Sequence, residues 1–203
     1  MKTFVQIGAG VGDKDPRTSF RDGFAELVKA QDQSTVGRII LVEPNPINHV
    51  KLMECWAGYS VQIYPIGVRS SSEPNDELTF YYCKEDGPYY QTFSMNKHHV
   101  LKHYPKGTIE TAKIRTVTIN EFLAVCCPGP IEMLALDVEG IDAEILLDID
   151  WGKFDIRNVS FEHIHLDNKA QSVYNMLEGF GYVHKGRGLD PFGYDTLYSK
   201  ETV

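Results

Sequence analysis

Long hydrophobic runs and clusters of basic residues are both missing from this 203-residue sequence. No stretch reaches the roughly 18 to 20 apolar residues that a membrane helix requires, and no apolar signal segment follows Met1. The sequence therefore predicts a cytoplasmic protein without a membrane partner. Twenty Lys and Arg residues are scattered among 28 Asp and Glu, for a formal net charge of -8. Because nucleic-acid binding depends on clustered positive charge, we also expect no nucleic-acid partner.

Cysteine is scarce, and its spacing argues against a disulfide framework. The four cysteines, Cys55, Cys83, Cys126 and Cys127, contain no CxxC pair. Adjacent cysteines such as Cys126 and Cys127 cannot bond to each other without strain. In a chain expected to be cytoplasmic, the pattern predicts four reduced thiols.

Apolar runs typical of strands alternate along the chain with apolar residues at helical spacing. The runs lie at 4–7, 39–42, 61–64, 77–83, 131–136 and 158–162, and the helical patterns at 20–28, 47–57, 98–104, 141–149 and 170–177. In the second helix the apolar stripe is Ile47, Val50, Met53 and Ala57. We expect one domain over residues 1–203, with a doubly wound α/β fold and a mostly parallel sheet. Residues 182–185 and 194–199 predict an antiparallel C-terminal hairpin.

A glycine-rich loop, Gly8-Ala9-Gly10-Val11-Gly12-Asp13, follows the first strand. Missing side chains would let backbone amides approach a ligand closely, and the next helix would offer its positive end to an anion. Tight packing is the alternative reason for such glycines. The spacing is G-x-G-x-G rather than the G-x-G-x-x-G typical of dinucleotide sites, and it favours S-adenosylmethionine over NAD.

Glu43 ends the second predicted strand. In a doubly wound sheet, ligands bind beyond the carboxyl ends of the strands, where this carboxylate could accept hydrogen bonds from both ribose hydroxyls. A solvated helix-capping acid is the alternative interpretation. Together, Glu43 and the glycine loop favour a nucleoside-binding site.

Four segments resemble, in order, the motifs of FkbM-type methyltransferases. They are QIGAGVG at 6–12, VEPNP at 42–46, ALDVEG at 135–140 and SFEH at 160–163, and weaker similarity covers 117–123 and 179–182. The similarity spans nearly the whole chain, and DVEG is its most distinctive part. Two positions differ from the usual family pattern, since Gln6 stands where Asp is usual and Gly10 where Asn is frequent.

The resemblance implies the class I methyltransferase fold, a Rossmann-like seven-stranded sheet, and S-adenosylmethionine as cofactor. It further implies methylation of a hydroxyl oxygen, with a small molecule or a sugar as substrate. The family's adenine packs near positions that match Ile66 and Gly67. The full set of expected cofactor-binding residues is Gly8, Ala9, Gly10, Gly12, Glu43, Pro44, Ile66, Gly67 and Asp137.

Methyl transfer to an alcohol requires alignment and removal of a proton, so a nearby base or metal ion must assist. Candidate catalytic residues end the predicted central strands, and they are Asp137, Glu139, Glu162 and His163. Asp137 or His163 is the expected base. Glu139 could instead favour a helix dipole. The same carboxylates could hold Mg²⁺, whose preferred ligands are hard oxygens.

Three further histidines receive no metal-binding role from the sequence. His99 and His103 lie one helical turn apart but have no associated third ligand, so we interpret them as surface residues. His165 would share a strand face with His163 if that strand continued, and we interpret it as packed.

Residues 84–114 have an irregular pattern, and the chain opens directly at its first strand, so we expect this segment to form a lid over the cleft. Aromatic residues before and inside it could line an acceptor pocket or form a sheet face, and they are Phe80, Tyr81, Tyr82, Tyr89, Tyr90 and Phe93. A non-catalytic S-adenosylmethionine-binding protein and an NAD-dependent oxidoreductase remain as alternative functions. The sequence does not indicate an oligomeric state.

Overall fold

The computed structural model describes residues 1–14, 22–87 and 92–201. Its strands are β1 (Lys2–Ile7), β2 (Val36–Val42), β3 (Val61–Tyr64), β4 (Gly67–Arg69), β5 (Glu77–Cys83), β6 (Ile109–Thr118), β7 (Met133–Leu136), β8 (Asn158–Glu162), β9 (Tyr182–Arg187) and β10 (Asp195–Lys200). One seven-stranded sheet has the order β3-β2-β1-β7-β8-β10-β9. β10 runs antiparallel to β8 and β9, whereas the remaining pairs of this sheet are parallel. The predicted fold class is confirmed.

The central strands bury residues on both faces of this sheet. Along β1, Val5 and Ile7 belong to one apolar cluster and Phe4 to the other. β2 and β7 divide in the same way, because successive side chains of a strand point to opposite faces. Burial on both sides explains why these strands are read as continuous apolar runs.

Helices cover both faces, and they are α1 (Gly23–Lys29), α2 (His49–Cys55), α3 (Lys97–His103), α4 (Ile119–Cys126), α5 (Asp142–Asp148) and α6 (Ala170–Gly179). α4 begins with a capping box, in which the Thr118 side chain accepts from the Glu121 N–H and the Glu121 side chain accepts from the Thr118 N–H. Phe20, expected in the first helix, lies outside the described residues. Within the described ranges, no helix has the length and apolar character needed to cross a membrane. All four cysteines are free thiols.

α2 exists where predicted, but its buried face differs from the expected one. Ile47, Val50 and Met53 of the predicted stripe are 47%, 59% and 56% exposed. The helix buries Leu52 and Cys55 instead. Trp56, directly after the helix, packs edge-on against Phe24 of α1, with ring centroids 5.9 Å apart, and this contact helps to orient the helix.

The described residues of the 70–114 segment are more regular than their sequence suggests. β6 pairs antiparallel with β5 from Ile109 to Arg115 and parallel with β4 from Thr116 to Thr118, forming a three-stranded sheet. Residues 109–114, expected to be part of a lid, are therefore part of that sheet. Among the described residues of the expected lid, those that reach the cleft described below lie within 92–104.

Candidate active site

A cleft of about 550 Å³ opens at the carboxyl ends of β1, β2, β7 and β8. This is the position expected for ligands in a doubly wound sheet, and the volume lies within the range of small-molecule sites. Of the residues expected to bind cofactor, all but Ile66 line this cleft: Gly8, Ala9, Gly10, Gly12, Glu43, Pro44, Gly67 and Asp137. Ile66 packs against the apolar core instead.

Two glycines of the loop after β1 have no room for a side chain. Gly8 has φ +86°, and a Cβ atom there would lie 1.7 Å from the backbone oxygen of Asp137. Gly12 has φ +59°, and its Cβ would lie 2.6 Å from Sγ of Cys55. These two glycines therefore serve close packing, and they also form part of the cleft wall.

The amides of this loop are already engaged within the protein. Gly8 and Ala9 donate to the backbone oxygen of Val42, each at 3.0 Å, and Gly12 donates to that of Ala9 at 3.1 Å. The Gly10 amide donates to Oε2 of Glu43 at 2.7 Å. The loop therefore presents bare backbone to the cleft rather than these N–H groups.

The first turn of the next helix is capped by an acidic side chain of the protein itself. α1 begins at Gly23, and its N-cap, Asp22, accepts the amide of Phe24 at 3.0 Å. An acidic side chain thus occupies the place expected for an anion, and Asp22 itself lines the cleft.

Glu43 joins the glycine loop to the end of β2. Besides accepting from Gly10, its carboxylate accepts the Asn45 amide at 2.8 Å and Nδ2 of Asn48 at 3.2 Å through Oε1. The side chain is only 4% exposed, and burial raises its pKa to about 7. Oε2 accepts a single protein hydrogen bond in the described structure, so a further lone pair is available to a ligand hydroxyl.

Gln6 and Asp22 provide acceptors near the glycine loop. Nε2 of Gln6 donates to Oδ1 of Asp22 at 3.4 Å, so Asp22 supplies a carboxylate beside the position where the family usually has Asp. Oε1 of Gln6 and Oδ2 of Asp22 are buried without a hydrogen-bond partner among the described residues. Buried acceptors of this kind call for a ligand with N–H donors.

Three further carboxylates line the cleft. Asp137, whose side chain is open to the cleft, directly follows β7, Glu139 lies two residues further on, and Glu162 ends β8. Burial, and then repulsion from neighbouring carboxylates, raises the pKa of Glu139 to about 8 and that of Glu162 to about 9. The same causes raise the pKa of Asp137 well above its ordinary value. Such mutual repulsion indicates a site suited to a cation.

The loop that carries Glu139 is held in a left-handed conformation, with φ 55° at Glu139 and 87° at Gly140. Oε2 of Glu139 lies 2.8 Å from Nε2 of His99 in α3, and Ser94 donates to the Glu139 backbone oxygen at 2.6 Å. The alternative role for Glu139, support of a helix dipole, is not what the structure shows, because α5 begins only at Asp142. Glu139 instead joins the β7 loop to the 92–104 segment.

Three histidines lie in surroundings that differ from those expected from the sequence. His163 does not line the cleft, because β8 ends at Glu162 and the chain then turns. His165, interpreted as packed, lines the cleft, and Nε2 lies 3.6 Å from Oε1 of Glu162. His99, interpreted as a surface residue, is only 4% exposed.

Aromatic side chains form a further wall of the cleft. Phe80 and Phe93 line it and stack on each other with ring centroids 5.2 Å apart. Tyr81 and Tyr82 of the predicted aromatic run do not line it, and Tyr89 and Tyr90 lie outside the described residues. Sequence reasoning missed three aromatic lining residues, Tyr104, Phe192 and Tyr194. The last two stack at 5.9 Å in a Gly/Pro-rich loop, a composition that could have indicated a binding loop.

The sheet order, the glycine loop and the acid at the end of β2 define a class of α/β proteins that bind a nucleoside-containing cofactor. The methyltransferase FkbM domain matches residues 6–183, and the chain belongs to this family. The family implies S-adenosylmethionine as methyl donor, and the orphan acceptors of Gln6 and Asp22 fit its ammonium group.

Two solved structures are similar in fold. The fibrillarin pre-rRNA processing protein of Methanococcus jannaschii is 11% identical with a TM-score of 0.46, and the match covers 100% of this chain and 67% of that one. An rRNA methylase from Streptococcus thermophilus is 10% identical with a TM-score of 0.36, and the match covers 99% and 89% of the two chains. No curated protein matches the sequence.

Proposed function

We propose that this methyltransferase transfers the methyl group of S-adenosylmethionine to a hydroxyl oxygen of a small molecule or a sugar. The observation that carries the proposal is the group of carboxylates in the cleft, Asp137, Glu139 and Glu162. An alcohol is a poor nucleophile until it loses its proton, and a positioned carboxylate can accept that proton.

The part of the cleft to which we assign the methyl donor, lined by the glycine loop, Asp22, Glu43 and Asp137, suits a cation. S-Adenosylmethionine carries sulfonium and ammonium charges, whereas the pyrophosphate of NAD is an anion. An anion would meet Asp22, Glu43 and Asp137, all of which line the cleft. The charge of the cleft thus argues against an NAD-dependent oxidoreductase.

The bound donor supplies a methyl group whose bond to sulfur breaks as the bond to the acceptor oxygen forms, and the sulfur keeps the electron pair. The cleft residues align the acceptor and take up its proton. Asp137 is the base that we favour, because it ends the central strand β7 and its side chain is open to the cleft. His163, the other expected base, lies outside the cleft lining.

The raised pKa of these acids fits their role. A carboxylate with a raised pKa is a stronger base once it has lost its proton. At an effective dielectric of about 20, a positive charge about 6 Å away favours the ionised form by about 3 kcal/mol, or about 2 pKa units. Binding of a cationic donor would therefore convert protonated acids of the cleft into bases.

The acceptor would bind against the aromatic wall. Phe80 and Phe93 provide flat apolar surfaces, while Tyr104 and Tyr194 add hydroxyl groups. Such surfaces stack on sugar faces and rings while hydrogen-bonding at their edges. Residues 92–104 cover this side of the cleft, and we assign to them the lid function expected of 84–114.

The proposal is tested by incubating the protein and S-adenosylmethionine with a panel of hydroxylated sugars and small molecules. Mass spectrometry detects methylated products, and NMR identifies the methylated atom. We expect Asp137→Asn to lower the rate about 100- to 10,000-fold, the usual contribution of a general base, while S-adenosylhomocysteine still binds. Asp155→Asn is the matched control, because Asp155 is exposed and precedes the amino end of β8, at the opposite edge of the sheet.

Methylation of an oxygen that depends on Asp137 but not on Asp155 would support the proposal. Methylation on nitrogen or carbon only, or an Asp137→Asn variant with full activity, would overturn it. Tight binding of S-adenosylhomocysteine without any methylated product would favour the alternative of a non-catalytic cofactor-binding protein.

A further inference from the structure

Three imidazole rings from two distant segments meet at the edge of the cleft. His99 and His103 lie one turn apart on α3, and His165 lies in the loop after β8. The ring centroids are 4.7 Å apart for His99 and His103, 4.6 Å for His99 and His165, and 5.5 Å for His103 and His165. One ring nitrogen of each residue can be chosen so that all three nitrogens lie within 4.8 Å of one another.

Two carboxylates flank the three rings. Oε2 of Glu139 lies 2.8 Å from Nε2 of His99, and Oε1 of Glu162 lies 3.6 Å from Nε2 of His165. In metal sites, a histidine ligand commonly donates its second ring N–H to a carboxylate, or a carboxylate itself completes the coordination. Oε2 of Glu162 and Nδ1 of His165 are buried and have no hydrogen-bond partner among the described residues.

We propose that His99, His103 and His165 bind a divalent transition-metal ion, assisted by the carboxylates of Glu139 and Glu162. Imidazole ligands suit Zn²⁺, Fe²⁺ and related ions, whereas Mg²⁺ prefers oxygen ligands. The proposed site shares Glu139 and Glu162 with the carboxylate Mg²⁺ site that the sequence suggested, but its main ligands are imidazoles.

Binding requires only a small contraction of the cluster. Metal–nitrogen bonds of about 2.0–2.1 Å in a tetrahedral site separate the ligand atoms by about 3.4 Å. The observed spread of up to 4.8 Å exceeds this by little more than 1 Å. His103 is exposed, and rotation of its side chain can supply much of that movement.

The packing of α3 maintains this arrangement. A Cβ atom at Gly140 would lie 2.6 Å from Nδ1 of His99, so the ring occupies the space that a side chain at 140 would fill. Asn96 caps α3 by accepting the amides of His98 and His99, and its Nδ2 donates to the Gly140 backbone oxygen at 3.3 Å. The first turn of α3 is therefore fixed to the loop that carries Glu139.

The position of the site suggests what the ion would do. His103, His165, Glu139 and Glu162 all line the cleft, so an ion held by three imidazoles would face the space assigned to the acceptor. A metal ion with an open position binds a hydroxyl group and lowers its pKa. This role rests on the proposed function, whereas binding of the ion does not.

The test uses the full chain, stripped of metal with a chelator and then titrated with Co²⁺ and Zn²⁺. Visible absorption reports histidine-bound Co²⁺, and elemental analysis gives the bound amount of Zn²⁺. We expect one equivalent to bind, and His103→Ala and His165→Ala each to weaken binding at least tenfold. His98→Ala is the matched control, because His98 is the exposed neighbour of His99 on the same helix.

Stoichiometric binding that is lost in His103→Ala and His165→Ala but kept in His98→Ala would support the site. Absence of binding at micromolar metal, or equal binding by all three variants, would overturn it. Circular dichroism checks that each variant is folded, and His103→Ala remains informative if His165→Ala is not, because His103 is exposed.

The proposed function is measured separately, by binding of S-adenosylhomocysteine and by product formation. Metal binding without methylation would leave the metal site standing and count against the methyltransferase proposal. Full methylation by chelator-treated, metal-free protein would overturn the role of the ion while leaving the proposed function intact.

Discussion

Replacement of Glu43 by Gln tests the predicted contact with the donor's ribose. The substitution keeps the size of the side chain but removes its charge and turns one acceptor oxygen into a donor. The carboxylate accepts hydrogen bonds from Gly10 at 2.7 Å, Asn45 at 2.8 Å and Asn48 at 3.2 Å. In the variant, an NH₂ group would face at least one of these N–H donors. Both the local structure and any contact with ribose hydroxyls would therefore weaken.

The expected magnitude follows from the loss of a hydrogen bond to a charged group. Such a bond contributes about 1.5–3 kcal/mol, and about 1.4 kcal/mol corresponds to a tenfold change in affinity. We expect Glu43→Gln to weaken binding of S-adenosylhomocysteine about 10- to 100-fold at pH 8.5. The difference should shrink at pH 6, because burial raises the pKa of Glu43 to about 7 and the wild-type side chain is then largely uncharged.

Calorimetric titration at both pH values measures this effect. Glu54→Gln is the matched control, because Glu54 in α2 is exposed, pairs with Lys51 and does not line the cleft. An analogue without the two ribose hydroxyls should lose less affinity in Glu43→Gln than S-adenosylhomocysteine does, and its remaining loss measures loosening of the glycine loop. Equal affinity of both Glu→Gln variants for S-adenosylhomocysteine at pH 8.5 would refute the assignment of Glu43.

Further predictions concern the glycine loop and the acidic groups. Gly8→Ala should lower the free energy of unfolding by about 3 kcal/mol or more, because its Cβ would overlap the Asp137 backbone oxygen. Gly10→Ala, whose Cβ meets nothing within 4 Å, should lower it by about 1 kcal/mol. Thermal unfolding measures both, and equal losses would contradict this prediction. The free energy of unfolding of donor-free protein should fall as pH rises from about 5 to 9, because the native state keeps protons on acids with a raised pKa that the unfolded state has lost. Glu162→Gln should make this fall with pH less steep in unfolding experiments at several pH values. S-Adenosylmethionine, a cation, should release more protons at pH 7.5 than neutral S-adenosylhomocysteine, measured calorimetrically in buffers of different ionisation enthalpy; equal release would count against acids beside the sulfonium.

The central sheet could be predicted because its signals are local. Each parallel strand is buried on both faces, which leaves a continuous apolar run, and the strands end at the residues that line the cleft. Gly8, Glu43, Asp137 and Glu162 were all identified from such strand ends, and all of them line the cleft. The acidic character of the cleft follows from the same positions, because Glu43, Asp137 and Glu162 are carboxylates.

Features that depend on distant contacts were not predictable in this way. The sequence pattern does not predict β6, because β5, its main partner, is separated from it along the chain by residues 84–108, whose apolar residues follow no regular spacing. The sequence pattern predicts the wrong buried face for α2, because apolar residues occur on both sides of that helix. Contacts such as that between Trp56 and Phe24 decide which side is buried. His165 meets α3 only after the chain turns beyond β8, and no spacing in the sequence reports that turn.

The absent side chain of Gly140 determines where a whole helix rests. The ring of His99 fills this vacancy, so the first turn of α3 sits directly on the DVEG loop. A single added methyl group at 140 would lie 2.6 Å from Nδ1 of His99, so the ring would have to shift, although residue 140 lies far along the chain from α3. The position of a helix at the edge of the cleft thus depends on a contact of atomic size with the loop that bears Glu139.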